Sequence, residues 1–430
     1  MERKIEKNLL EWKDSPNSLP LIIHGARQVG KTYSILEFGK KYFKNVLYFN
    51  FESNSELTKI FDKDLKPERI LNELSVFSGK SILEHESLIF FDEIQASEKT
   101  LTSLKYFAEQ SSQFHIIAAG SLLGVAINHE NYSFPVGKVE MQTLYPMDFE
   151  EFLWAIQEKN AVEIIRESYR NNSECSLHQH FIDLYKIYLC TGGLPQVVKE
   201  YMDKGDFDFV SIIQKNINDA YIADMTKYVS PTETIRIMAA YNSIPAQLAK
   251  INKKFQYKII KSGARANQYE LSLHWLNASG IVVKCLKTTA GKFPLSLHAE
   301  NNSFKIYMND SGLLLSKFGV SANAIMSGNE GFNNIKGILA ENYVANSLVI
   351  NGYVPHYWES KGKAELDFVI QTKNGEVIPI EVKSSENVRS KSLQQFVLQY
   401  KPLFSIRISL RNFGFENNIK SIPLYACFCI

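Results

Sequence analysis

Three groups of residues carry chemistry in their types and spacing. The first is Gly25-Ala26-Arg27-Gln28-Val29-Gly30-Lys31-Thr32, which fits G-x-x-x-x-G-K-[ST] without a mismatch. Gly25 and Gly30 let the backbone curl so that consecutive N–H groups face a phosphate. A helix starting near Lys31 would present the positive end of its dipole to the same phosphate. Lys31 can reach β- and γ-phosphates, and the Thr32 hydroxyl can complete the shell of a Mg²⁺ ion bridging them, so the stretch reads as an ATP or GTP site. The second group closes the apolar run Leu88-Ile89-Phe90-Phe91, which ends in Asp92-Glu93. Asp92 is placed to hold Mg²⁺ together with Thr32, and Glu93 to polarise the attacking water as general base. A further run, Phe114 to Ala119, ends in Gly120-Ser121. Ser121 reads equally as a γ-phosphate or water sensor and as an ordinary Gly-Ser turn. The third group lies far downstream, in Glu341, Glu365-Leu366-Asp367 and Glu381-Val382-Lys383. Asp367 and Glu381, joined by Glu341, could chelate a divalent ion while Lys383 polarises water or a phosphate. The bland alternative is a charged, solvated hairpin edge.

The elements that must position these residues follow from periodicity. Strands at 19–25, 46–51, 88–94 and 114–119 alternate with helices at 31–43 and 99–110 and helical material up to Phe77, a pattern that means a parallel sheet with crossover connections. Residues 1–18 form a short amphipathic helix through Ile5, Leu9, Leu10 and Trp12, closed by Asp14-Ser15-Pro16-Asn17. From Met147 to Tyr228 the apolar spacing is helical, as in Phe149, Phe152, Leu153, Ile156 and Phe181, Leu184, Ile187, Tyr188. This segment is expected to form a lid. It is broken at Gly192-Gly193-Leu194-Pro195, either as a hinge or as a plain helix-helix turn. Residues 232–310 read as a winged helix, with helices at Thr232–Tyr241, Ile244–Lys250 and Ala266–Leu276 and strands at Ile281–Leu286 and Phe304–Met308. Lys250, Lys253, Lys254, Lys258, Lys261 and Arg265 crowd residues 241–270 against Glu270 alone, a local basic patch that suits DNA phosphates or a protein contact. At the end, Asn374-Gly375 turns a hairpin whose strands set Glu365 with Asp367, and Glu381 with Lys383, each on one face, with Phe368 and Val382 inward. Ile422 to Ala426 reads as a further strand.

Composition bounds the rest. The 430 residues suffice for two to four domains, and 45% hydrophobic with 22% charged is ordinary globular usage. With 48 basic against 46 acidic residues the net charge is +2, so any nucleic-acid surface must be local. The five cysteines, Cys175, Cys190, Cys285, Cys427 and Cys429, are scattered without C-x-x-C spacing, which favours a reducing compartment. A charged opening and the lack of any 18-residue apolar run give a cytoplasmic expectation with no membrane partner.

Taken together, these motifs resemble the AAA-type prokaryotic P-loop ATPases whose C-terminal half is a domain of uncharacterised function. Gly137-Lys138 followed by Leu144-Tyr145-Pro146-Met147-Asp148-Phe149-Glu150-Glu151-Phe152 is similar to that family's sheet exit, and Gly192-Gly193-Leu194-Pro195 to its mid-chain signature. Gly337-Ile338-Leu339-Ala340-Glu341-Asn342 and Glu365-Leu366-Asp367-Phe368-Val369-Ile370 extend the resemblance to about residues 15–385. The family commonly has Arg where Lys138 stands, so an arginine contact to nucleotide or to a neighbouring subunit does not carry over. The downstream hairpin looks like a PD-(D/E)XK nuclease core, with Leu366 in place of the usual Pro. The resemblance implies an α/β protein: a P-loop parallel-sheet ATPase domain (1–146), a helical lid (147–231), a winged helix (232–310) and a small α/β nuclease-like domain (311–430). The motifs themselves call for ATP and Mg²⁺ as cofactors, the basic segment for DNA or a protein as partner, and further copies of the chain are possible partners. Two functions compete: an ATP-driven enzyme acting on DNA, and a nucleotide-gated switch that holds a protein partner and carries an inactive C-terminal domain.

Overall fold

The computed structural model describes residues 1–121, 134–225, 229–327, 333–360, 364–385 and 391–430. Its chain divides into two compact units, one of residues 2–145 with 278–280, the other holding nearly all of 146–430. The last residues expected in the lid, 226–228, lie outside the described residues.

In the first unit, β1 (Leu21–His24), β2 (Asn45–Asn50), β3 (Ser87–Asp92), β4 (His115–Gly120) and β5 (Glu140–Thr143) form a wholly parallel sheet in the order β2-β3-β4-β1-β5. The strand β5, which periodicity does not single out, closes the sheet beside β1, with His24 paired to Thr143. The helices are α1 (Ile5–Lys13), α2 (Lys31–Tyr42), α3 (Glu56–Lys63), α4 (Pro67–Ser78) and α5 (Glu98–Gln110). Every residue of β3 and β4 is buried, as a parallel strand covered on both faces requires. One face packs Ile89, Phe91, Ile116 and Ala118 against Leu57, Phe61, Leu74, Leu104 and Phe107. That core explains why helices form over 56–78 despite a break: Pro67 opens α4 at its first turn and Gly79 ends it in the left-handed conformation.

The second unit starts with α6 (Phe149–Ala155), α7 (Lys159–Asn171), α8 (His178–Thr191), α9 (Pro195–Lys204) and α10 (Phe207–Met225). Asp148 and Glu151 make a reciprocal capping box at the start of α6. Between α8 and α9 the structure shows the helix-helix turn, held from several sides. The Gly193 N–H donates to Asp310 Oδ2 at 2.6 Å, the Gly193 carbonyl accepts from Met147 N at 2.7 Å, and a Cβ on Gly193 would lie 1.9 Å from the Met147 oxygen.

The next helices, α11 (Pro231–Leu248), α12 (Tyr257–Ile260) and α13 (Ala266–Ala278), correct the sequence reading at one point. The two helices expected at 232–241 and 244–250 are a single one that runs through Pro245, because Ile237, Tyr241, Ile244 and Leu248 make one buried stripe. After it come β6 (Val282–Thr288), β7 (Ala299–Met308), α14 (Ser311–Phe318), α15 (Ala322–Met326) and α16 (Asn333–Ile350). The chain ends with β8 (His356–Ser360), β9 (Ala364–Gln371), β10 (Val377–Val382), α17 (Lys391–Tyr400), β11 (Ser405–Ser409), β12 (Gly414–Glu416) and β13 (Ile419–Pro423). Residues 424–429 turn as a 3₁₀ helix, so the strand expected at Ile422–Ala426 ends at Pro423.

These strands make one mixed sheet in the order β12-β13-β11-β10-β9-β8-β6-β7. The β6-β7 hairpin is therefore no free wing: β6 pairs in parallel with β8, Leu286 opposite His356, and the division expected at 310 falls inside a continuous sheet. Edge strand β7 is tied at its end by Asn342, whose side chain accepts from Met308 N at 2.8 Å and donates to Met308 O at 3.0 Å. No helix among the described residues is long and apolar enough to cross a membrane, and all five cysteines are free.

Candidate functional site

The loop between β1 and α2 is shaped by its glycines. Gly25 sits at φ 143°, and a Cβ there would lie 2.2 Å from the Leu144 carbonyl oxygen, so no other residue fits. Gly30, at φ 93°, caps α2 in the left-handed region. Lys31 is the first residue of that helix, and its ammonium turns back to donate to the carbonyls of Gly25 and Ala26, both at 2.8 Å. The cation therefore lies in the curl formed by its own loop, where a phosphate's oxygens are stronger acceptors than neutral carbonyls.

Thr32 Oγ1 donates to Asp92 Oδ2 at 2.9 Å, joining the first turn of α2 to the end of β3. The expected pair is thus together. Tyr48 on β2 donates to the same Asp92 oxygen at 2.9 Å and accepts from Asn50 Nδ2 at 3.2 Å. A hydroxyl and a carboxylate at the start of a helix are hard oxygen donors, which is the donor chemistry Mg²⁺ takes. They fit that ion.

Glu93 leaves the strand at φ 51°, ψ 43°, a left-handed conformation that costs a non-glycine residue about 1–2 kcal/mol. Its carboxylate accepts from Gln95 Nε2 at 2.5 Å. Burial pushes its pKa up, while the Gln95 contact opposes that rise. Ser121 follows β4, which does lie beside β1, and its buried Oγ has no hydrogen-bond partner among the described residues. A buried orphan hydroxyl at this strand end suits the sensor alternative better than a simple turn, whose hydroxyl would cap its own backbone.

Sequence reasoning missed several supports of this loop. Arg3 donates from Nη1 to Val29 O and from Nη2 to Tyr145 O, each at 2.7 Å, and so holds the loop from outside it. His24 bonds Thr143 Oγ1 at 2.9 Å, and burial and the Lys31 charge lower its pKa. Tyr48 and Gln95 had weak signals in their positions, two residues before Asn50 and two after Glu93. Arg3 had none, because its partners are 26 and 142 residues away. Lys138, the departure from the familial Arg, pairs with Glu109 at 3.0 Å.

The downstream constellation also comes together, with additions. In the β9-β10 hairpin Ile380 faces Phe368, and the Val382 N–H donates to Asp367 Oδ2 at 2.8 Å. Phe368 and Val382 are buried as expected. Lys383 pairs with Glu381 Oε1 at 2.5 Å, and Glu381 Oε2 is buried without a hydrogen-bond partner among the described residues. Glu341, on α16, accepts from Tyr307 Oη at 2.6 Å and pairs with Lys305 at 3.3 Å and with Lys253. Lys305 also reaches Glu365 at 2.5 Å. Burial would raise the Glu341 pKa, but Lys305 and Lys253 outweigh it and hold the carboxyl down at about 2. Asp367 is pushed up to about 7 by burial and by the Glu341 and Glu381 charges.

At the carboxylates given a metal role, Lys305 and Lys253 lie on Glu341 and Lys383 lies on Glu381. Among the described residues no group of three or more His, Cys, Asp or Glu side chains is set to hold a metal ion. Lysines supply positive charge to Glu341, Glu365 and Glu381, while Asp367 accepts from the Val382 N–H. Lys305 was missed although it is the one charge in the otherwise apolar run from Phe304 to Met308, itself a signal of a buried partner. Lys253 was counted with the basic patch, yet it is half-buried against Glu341, leaving Lys250, Lys258, Lys261 and Arg265 exposed. Beside them, Arg236, Lys261, Gln268 and Tyr269 line a cavity of about 500 Å³.

Residues 17–153 match the family model described as AAA domain, which defines the first unit as an AAA-type P-loop nucleotide-binding domain. Residues 182–324 and 336–427 match two further models, each described as a domain of unknown function. The chain is 22% identical over 425 residues to the uncharacterized protein MJ1544 of Methanocaldococcus jannaschii, covering 95% of this chain and 84% of that protein. Among solved structures it is similar to the Walker-type ATPase PabY2304 of Pyrococcus abyssi (17% identity, 74% of this chain and 95% of the other, TM-score 0.46). It is also similar to RuvB of Thermotoga maritima (12% identity, 66% and 89%, TM-score 0.33). These looser likenesses decide nothing about function.

Proposed function

We propose that the chain is a Mg²⁺-dependent ATPase acting on DNA or regulated by it. The observation that carries the ATPase reading is the 2.9 Å bond from Thr32 to Asp92, which sets Lys31, a hydroxyl, a carboxylate and the Glu93 base at one sheet edge. Lys31 would bind the phosphates, Thr32 and Asp92 would hold the ion, Glu93 would take the proton of the attacking water, and Ser121 would contact the water or the γ-phosphate. Mg²⁺ would supply charge neutralisation for the phosphates. The exposed lysines of 250–265 support contact with DNA phosphates.

A second reading is favoured by Lys305 and Lys253 lying on Glu341: the C-terminal unit is a binding platform and nucleotide turnover gates a protein partner. One measurement tests the turnover both readings share, and a second separates them. Glu93→Gln should keep nucleotide affinity and slow turnover about 10²–10⁴-fold, the contribution of a positioned base. Equal turnover in the variant and the parent would remove Glu93 from the mechanism. Incubating the full chain with supercoiled, linear and branched DNA, with Mg²⁺ or Mn²⁺ and with or without ATP, tests the rest. Metal-dependent cleavage lost in both Asp367→Ala and Lys383→Ala would restore the nuclease reading. DNA binding that responds to ATP without cleavage supports a DNA-regulated ATPase, and no DNA binding at low salt favours the protein partner.

A further inference from the structure

Glu93 is the residue on which turnover would hinge, yet nothing in its own backbone holds its carboxylate in place. A glutamate has three side-chain torsions, and this one leaves the strand in a left-handed conformation, so its side chain departs in a direction the strand does not set. Two cations attract it electrostatically, Lys31 and Arg27. A carboxylate drawn onto either would point at the phosphate-binding loop and away from a water aligned for attack. Against this stands a single short bond, Gln95 Nε2 to Glu93 Oε2 at 2.5 Å.

The backbone that carries Gln95 is itself fixed. Gln95 is the middle residue of the 3₁₀ turn Ile94–Ala96, closed by Ala96 N to Glu93 O and Ser97 N to Ile94 O, each at 3.0 Å. Ile94 is wholly buried in the core of the unit, and Ser97 caps α5 by accepting from Thr100 N. Gln95 is only 4% exposed, so its amide has little freedom to leave. The turn is a rigid bracket with one donor aimed at the base.

We infer that Gln95 is the positioning residue for Glu93, holding the carboxylate in the orientation used for water attack and away from the cations of the phosphate loop. The inference rests on the ATPase reading and names a residue that acts only through Glu93. An amide suits the task because it donates without adding charge beside the carboxylate. Leucine at this position keeps the shape and removes the donor. Misplacing a catalytic group by about 1 Å costs on the order of 10²-fold, so Gln95→Leu should lower kcat by about 10- to 100-fold.

The test is a double-mutant cycle on the full chain, with Mg²⁺-ATP turnover and the affinity for a non-hydrolysable ATP analogue as readouts. Expected are a fall in kcat for Gln95→Leu, an analogue Kd within about twofold of the parent, and no further loss when Gln95→Leu is added to Glu93→Gln. Thermal unfolding of each variant checks that folding is intact. A merely structural role would instead weaken analogue binding, or lower kcat by the same factor in both backgrounds, and either result overturns the assignment. Should Gln95→Leu not fold, Gln95→Asn, too short to reach Glu93, gives the same cycle. Absent turnover in the parent, or an unaltered Glu93→Gln, defeats the ATPase reading itself. A large Glu93→Gln loss with Gln95→Leu at parental rate defeats only the role of Gln95.

Discussion

The phosphate loop and the C-terminal carboxylate cluster hold the same chemical types, a buried lysine beside carboxylates at strand ends, and arrange them in opposite ways. Lys31 donates to two neutral carbonyls of its own loop, while Asp92 accepts from the hydroxyls of Thr32 and Tyr48. Lys305, 1% exposed, sits between Glu341 and Glu365, with Lys253 on the other Glu341 oxygen. In the first region Lys31 and Asp92 hold neutral groups that a charged ligand outcompetes. In the second, lysines already sit on Glu341, Glu365 and Glu381. A list of residue types would rank the two regions alike; only their partners differ.

Removing each lysine gives the sharpest way to break this comparison. Lys31→Ala is expected to abolish nucleotide binding, read by titration with a fluorescent ATP analogue, while the unfolding midpoint stays near that of the parent. Lys305→Met should do the reverse. It leaves buried carboxylates without their partner, which costs about 3–5 kcal/mol in denaturant unfolding, with nucleotide affinity retained in the folded fraction. A Lys305→Met variant as stable as the parent would mean the cluster is not a structural charge network.

The pH dependence of stability sharpens the comparison further. Glu341 is held low, at about 2, so its contribution is fully present above the ordinary carboxylate range and is lost only as pH falls toward that value. Asp367 is raised to about 7, so between the usual aspartate value and neutrality the folded chain binds more protons than the unfolded one. Its ionisation therefore weakens stability as pH rises through that window. Asp367→Asn should remove this slope, so that its stability relative to the parent is greater at pH 8 than at pH 5, as measured by unfolding midpoints at both. Identical pH profiles in the two proteins would show that Asp367 is ionised throughout.

The smallest effect divides the basic segment. Lys258→Ala with Lys261→Ala should flatten the plot of log K for duplex DNA against log salt by up to about 0.9 for each phosphate that the segment no longer neutralises. Lys253→Ala should leave that slope alone and lower stability instead, because its ammonium is committed to Glu341. A slope that changes only with Lys253 would reverse the roles given to the two sets.

Local sequence determined the phosphate loop, the Asp92-Glu93 strand end and the β9-β10 hairpin, because their geometry follows from short-range spacing. Gly25 to Thr32 dictates the curl, Leu88 to Phe91 a doubly buried strand, and Asn374-Gly375 the turn that brings Asp367 beside Val382. Tertiary structure decided what those residues face. Arg3 reaches Val29 across 26 residues and Tyr145 across 142, and Lys253 meets Glu341 across 88. It also decided that β6 joins β8 in the sheet and that the helix at 231–248 continues past Asn242-Ser243. Burial of a whole apolar stripe outweighs a local turn signal, and the sign of the charge beside a buried carboxylate depends on which distant strand packs there.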